Sequence, residues 1–187
     1  MTAPIGERTV RLGEAFEQLN EQLDELAVRL GEADANTQSG QALQNLATET
    51  EQKLAGVDYL IHTAGGDGYG EDATVTVKGL GAGSYARMED RVDDHRASRD
   101  GPGQAPGGRR KVFAASGLVD APFADIPDVD DADVTESQRF EAALAALSDD
   151  SLPVGVEKWI EGLVSTESSV EGNFEPLSAR LAASSKD

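Results

Sequence analysis

His62 and His95 are the only histidines in the chain, and cysteine is absent, which excludes disulfides and thiolate metal sites. His95 lies in "EDRVDDHR" beside Asp93 and Asp94, but a metal site there needs further ligands from elsewhere, and no other pattern marks them. His62 closes an apolar stretch and reads as a helix-end cap or packing residue. The acid-rich "IPDVDDADVTESQRF" invites comparison with a calcium loop. Counted from Asp128, position 3 is Asp130, but position 5 is Ala132, position 6 is Asp133 and position 12 is Arg139. The glycine and terminal glutamate of an EF-hand are missing, so that reading fails. "TAGGDGYGED", residues 63–72, has the glycines of a phosphate cradle but neither the following Lys-Ser or Lys-Thr nor a preceding strand, and reads as a flexible linker. Carboxylates are so abundant that no pair stands out as an acid/base couple, and no serine sits in a nucleophile-elbow pattern. The expectation is a protein without catalytic residues, metal or cofactor.

The elements around these residues are clearer than any chemistry. Ile5, Thr9, Leu12, Phe16, Leu19, Leu23, Leu26 and Leu30 repeat at alternating spacings of four and three, a heptad seam with mostly charged or amide residues between. A strict 3.5-residue period predicts a left-handed contact with another helix. Gly31, Asn36 and Gly40 break the segment. A weaker repeat then follows at Leu43, Leu46, Thr50, Leu54, Val57 and Leu60 or Ile61. The two repeats predict an αα-hairpin over residues 1–62, and the alternative is association between chains. Residues 73–80, "ATVTVKGL", alternate β-branched with small or polar residues and read as one short strand. A helix is expected from Ser84 with Tyr85, Met88 and Val92 on its buried stripe, followed by a mobile loop over residues 96–110 with four Gly, two Pro and four Arg.

Beyond that loop, "KVFAASGLVDAPFADIP" is an apolar island predicted to hold a short helix, Val112 to Leu118, ending at a Pro122-Phe123 corner. Thr135 with Gln138 makes a capping box for a helix that buries Phe140, Ala143, Leu144 and Leu147. Pro153 opens the next, with Val156, Trp159, Ile160 and Leu163 on one face, and a last short helix is expected over Glu175–Ala183. Trp159 fits a core anchor or an interface position. The fold class is therefore mainly α: an N-terminal coiled-coil hairpin (1–62), a glycine-rich linker (63–72) and a small helical domain with one short strand (73–183).

A formal charge of −19 and a pI near 4.3 argue against nucleic acid and anionic membranes, whose phosphates repel such a surface. The acid is 18 Asp and 17 Glu, and Arg outnumbers Lys 11 to 5. Such a composition is expected of a proteome working in molar salt, where the Debye length falls to about 3 Å and self-repulsion is screened, the alternative being an ordinary acidic protein or an acidic scaffold. The sequence has no apolar run of membrane-spanning length, and its first residues lack a signal-peptide core, so an intracellular, soluble protein is expected.

The order of elements over residues 73–181 resembles the tail assembly chaperones of tailed viruses. The parts that carry the resemblance are "ATVTVKGLGAGSYARMEDRV", "KVFAASGLVDAPFAD" and "LPVGVEKWIEGLV" ahead of "GNFEPL". Taken with the acidic composition, it points to a virus or provirus of a halophilic archaeon. It implies a protein of the host cytoplasm, or one associated with the virion, that covers apolar surface of the long tape measure protein until tail-tube subunits bury it, with no nucleotide or metal. Contact surfaces would be the helices around Val112, Phe113, Leu118 and Phe123 and around Trp159, together with the seam Leu12, Phe16, Leu19, Leu23, Leu26 and Leu30. The heptad hairpin is an addition to the family pattern, and it equally fits a virion structural, scaffold or adaptor protein that forms a homo-oligomer through the coiled coil.

Overall fold

A computed structural model describes residues 6–97, 108–128 and 133–168. In chain order the elements are β1 (Glu7–Arg11), α1 (Leu12–Glu32), α2 (Gln38–His62), β2 (Thr74–Lys78), α3 (Ala82–Ala97), α4 (Gly108–Gly117), β3 (Leu118–Asp120), α5 (Glu136–Leu147) and α6 (Val154–Ser168). The protein is mainly α, with a small antiparallel sheet in the order β1-β2-β3. The expected single strand is thus the centre of three. Glu7–Arg11, assigned by spacing to the heptad seam, instead runs antiparallel to β2 with Thr9 opposite Thr76 and Val10 opposite Val75. Its Thr-Val pair favours a pleated surface, and Val10 fills the core while Thr9 shares a 2.9 Å hydroxyl hydrogen bond with Thr76. Leu118 likewise belongs to β3 and not to the preceding helix, which ends at Gly117. A Cβ at Gly117 would lie 2.4 Å from Val164 Cγ1, so only glycine lets the chain turn so close to α6.

The hairpin closes within the chain. α1 packs along α2, burying Leu12, Ala15, Leu19 and Leu26, while Phe16, Leu23 and Leu30 are half-buried. Thr37 caps α2 by accepting from Gly40 N, and Gly40 allows the tight return, since its Cβ would meet Asp34 O at 2.2 Å. On α2, Thr50, Val57, Leu60 and Ile61 are buried, but Leu46 is exposed.

α2 is in turn crossed by α6. A Cβ on Gly56 would lie 2.4 Å from the carbonyl carbon of Gly155, and one on Gly155 would lie 1.9 Å from Gln52 O. The helices therefore meet backbone to backbone. Val156, Trp159, Ile160 and Val164 are buried on α6, while the predicted Leu163 is half-buried.

Residues 63–72 are an ordered turn where a flexible linker was expected. Gly65, Gly66, Gly68 and Gly70 all take positive φ; Gly68 N donates to Ala64 O within the turn, which folds back on α2 through Tyr69 N to Leu60 O and Gly70 N to Ile61 O. Its far end hydrogen-bonds α1, Gly13 N to Glu71 O and Leu12 N to Ala73 O. One apolar core spans both sides of it, from Val10 through Val57, Val75, Met88 and Val112 to Val164. The hairpin and the C-terminal part thus share a core and do not form separate units.

α3 starts two residues before Ser84, and Met88 and Val92 are buried as expected. Tyr85 is 40% exposed, leaning edge-on against Phe113. Of the predicted loop 96–110, Gly108–Arg110 are helical and residues 98–107 lie outside the described residues; so do 129–132 of the acidic run and the helix expected at 175–183. The Thr135–Gln138 capping box forms as expected, with reciprocal hydrogen bonds of 2.8 and 3.2 Å.

Candidate functional site

Most residues expected to touch a partner serve the core. Leu12, Leu19, Leu26, Val112, Leu118 and Trp159 are buried, and Phe16, Phe113 and Phe123 pack half-buried against the central cluster. The corner holding Phe123 is a turn in which Ala124 N donates to Ala121 O, with Pro122 at the position where a fixed φ is favoured. Leu23, Leu26 and Leu30 differ from the rest: they lie on the part of the hairpin that leaves the core behind, Leu26 buried in its own seam and the other two half-buried. No residue between Leu19 and Leu54 belongs to the central cluster. That arm, about 20 Å of helix at 1.5 Å per residue, is held by its own narrow seam. Val28 (65% exposed) and Leu46 (46%) present apolar side chains to solvent from it.

Where α2, α4 and α6 meet, a polar seam lies beside the glycine crossing. Lys53 pairs with Glu49 at 2.7 Å, Lys158 donates to Gln52, and Arg110 reaches Glu161 at 3.2 Å. The Lys53 hydrogen bond holds the Glu49 carboxyl below its ordinary range. Glu157 behaves in the opposite way. It is 4% exposed, its Oε1 meets no hydrogen-bond donor, and the nearest pairing, to Arg110 Nη1, is 4.0 Å long. Burial pushes its carboxyl up, and Lys111 and Arg110 oppose this without overcoming it. His62 ends α2, exposed, with Nε2 3.7 Å from Asp58 Oδ1. His95 lies in α3 outside the described side chains.

Sequence reading missed a second feature on the opposite side of α4. Lys78 from β2, Arg91 from α3 and Arg139 from α5 line one small cleft, floored by Leu118, Ile126 and Phe140, with a cavity volume of about 20 Å³. The Arg91 guanidinium lies 4.1 Å over the centre of the Phe140 ring. The three cations are far apart in sequence, and only the packing of β2, α3 and α5 around α4–β3 brings them together. No family model, curated protein or solved structure matches the chain. Among the described residues no group of three or more His, Asp or Glu is placed to hold a metal ion, and no helix is long and apolar enough to cross a membrane.

Proposed function

We propose that the protein is a non-enzymatic assembly factor of viral tails, which binds an elongated, helix-rich partner of the tape measure kind and keeps its apolar surface covered. The observation that carries this reading is the arm. A helical hairpin that leaves the core beyond Leu19 and exposes Val28 and Leu46 offers an added helix apolar contacts alongside a seam that is only half covered at Leu23 and Leu30. The body anchors it: the backbone-close crossing at Gly56 and Gly155 ties α2 to α6, so the arm is held at its base. The sequence resemblance over residues 73–181 and the acid-rich composition supply the viral and high-salt setting. Co-expression with a tape measure protein tests the proposal. Co-purification and a gain in solubility of the tape measure are expected, both reduced by Val28→Glu and Leu46→Glu. Absence of both in the unmodified protein overturns it.

The same exposed residues favour one other reading, a virion component oligomerised arm to arm. In that case the chain is found at fixed stoichiometry in purified particles, from which a chaperone is absent.

A further inference from the structure

We propose that the cleft between β2, α3, α5 and the α4–β3 junction is a binding site for a peptide segment of a partner protein carrying one carboxylate beside an apolar side chain. The site is distinct from the arm and does not depend on the tail-assembly reading.

The starting observation is an imbalance. The chain holds 35 acids against 16 cations. Arg8, Arg11, Lys53, Arg87, Arg109 and Arg110 each meet a carboxylate within 4.0 Å. Among the described residues no carboxylate pairs with Lys78, Arg91 or Arg139, although they converge on one cleft and all three are half-buried. A partly desolvated cation without an anion is costly, and a chain so rich in carboxylates has ample means to supply one. Glu136 is the one acid lining the cleft, and it pairs at 3.6 Å with Arg87, which does not line it. Three cations against one carboxylate make the lining of the cleft positive within a molecule of net charge −19, which favours an anion there.

The shape of the cleft selects among anions. About 20 Å³ admits a single small polar group. The Arg91 guanidinium carbon lies 4.1 Å over the centre of the Phe140 ring, a cation–π contact, and a guanidinium grips a carboxylate through its N–H edge. Leu118, Ile126 and Phe140 supply apolar floor for a neighbouring side chain. A nucleic acid fits poorly, because its phosphates recur along the strand and would extend over a surface of net charge −19. One carboxylate on an otherwise uncharged, apolar segment gains the cations without meeting the surrounding acid.

Selection of a random hexapeptide display library on the full chain tests the proposal. The expected result is enrichment of peptides with Asp or Glu next to an apolar residue. These should bind about tenfold more weakly when the acid is changed to its amide, and by a similar factor to Arg139→Gln or Lys78→Gln. Glu136→Gln should bind them more tightly. Among the described residues Arg139 and Lys78 form no ion pair or ring contact, so both variants are expected to melt as the parent does; if one fails to fold, the other carries the same expectation. No enrichment, enriched peptides without an acid, or equal binding to the folded variants overturns the proposal. So does a single-stranded oligonucleotide that binds more tightly than the peptides and is lost in the same variants.

Discussion

Glu157 shows what burial does to a single carboxyl. Its folded pKa is raised, so the folded state holds this proton more tightly than the unfolded chain does, and the stability it contributes is present at low pH and lost as pH rises through the raised value. Glu49 runs the other way: with its folded pKa lowered, its contribution is present above the unfolded value and is lost as pH falls through the folded one. Glu157→Gln should therefore remove a decline in stability between acid and neutral pH while leaving the acid limb in place, as measured by urea unfolding across pH 4 to 8. An unchanged profile would show that the carboxyl titrates normally. Phe123 is the other instructive residue. Half-buried against the core at the Ala121–Ala124 turn, it should cost about 2 kcal/mol when cut to alanine, below the cost for a fully buried Phe. Unaltered unfolding with a weakened partner would make the corner a docking edge instead.

At the level of elements, the fold depends on close approach more than on bulk. Gly56→Ala places a methyl against the Gly155 backbone and forces α2 and α6 apart, which should cost about 3 kcal/mol or more, read as a lowered melting temperature. The same substitution at Gly31, which has open space around it, should be neutral or mildly stabilising. Helices were legible in the sequence wherever a long apolar period or a cap announced them: the two arms of the hairpin, the Thr135 capping box and the Trp159 face. The strands β1 and β3 were not. β3, three residues long, is too short to show a period, and in β1 Thr9 continues the spacing of a helical seam. The turn at 63–72 was misjudged because glycine composition marks both slack chain and positive-φ turns, and only the hydrogen bonds to Leu60, Ile61 and α1 distinguish them. The cleft of Lys78, Arg91 and Arg139 had no local signal at all, since its members come from three elements.

For the whole molecule, charge sets the conditions under which it is stable. With a formal charge of −19 and few close ion pairs among the described residues, mutual repulsion opposes compaction in dilute buffer. Raising KCl from about 0.1 M to 2 M shortens the Debye length from about 10 Å to below 3 Å, and the melting temperature should climb steadily over that range in calorimetry. A melting temperature that falls with salt would count against a high-salt setting.

The joint between β1 and α1 bears on how the chain comes together as it is made. Arg11 offers α1 no side-chain cap, and the first free amides of the helix, Leu12 and Gly13, are satisfied by the carbonyls of Ala73 and Glu71. The strand that precedes them needs β2, which lies later still in the sequence. The ribosome thus delivers β1 and the first turn of α1 well before the groups at residues 71–78 that fasten them. β1 is made before β2 but can pair only once β2 exists, and until the glycine turn emerges the hairpin is expected to start from its tip, where Thr37 provides a cap.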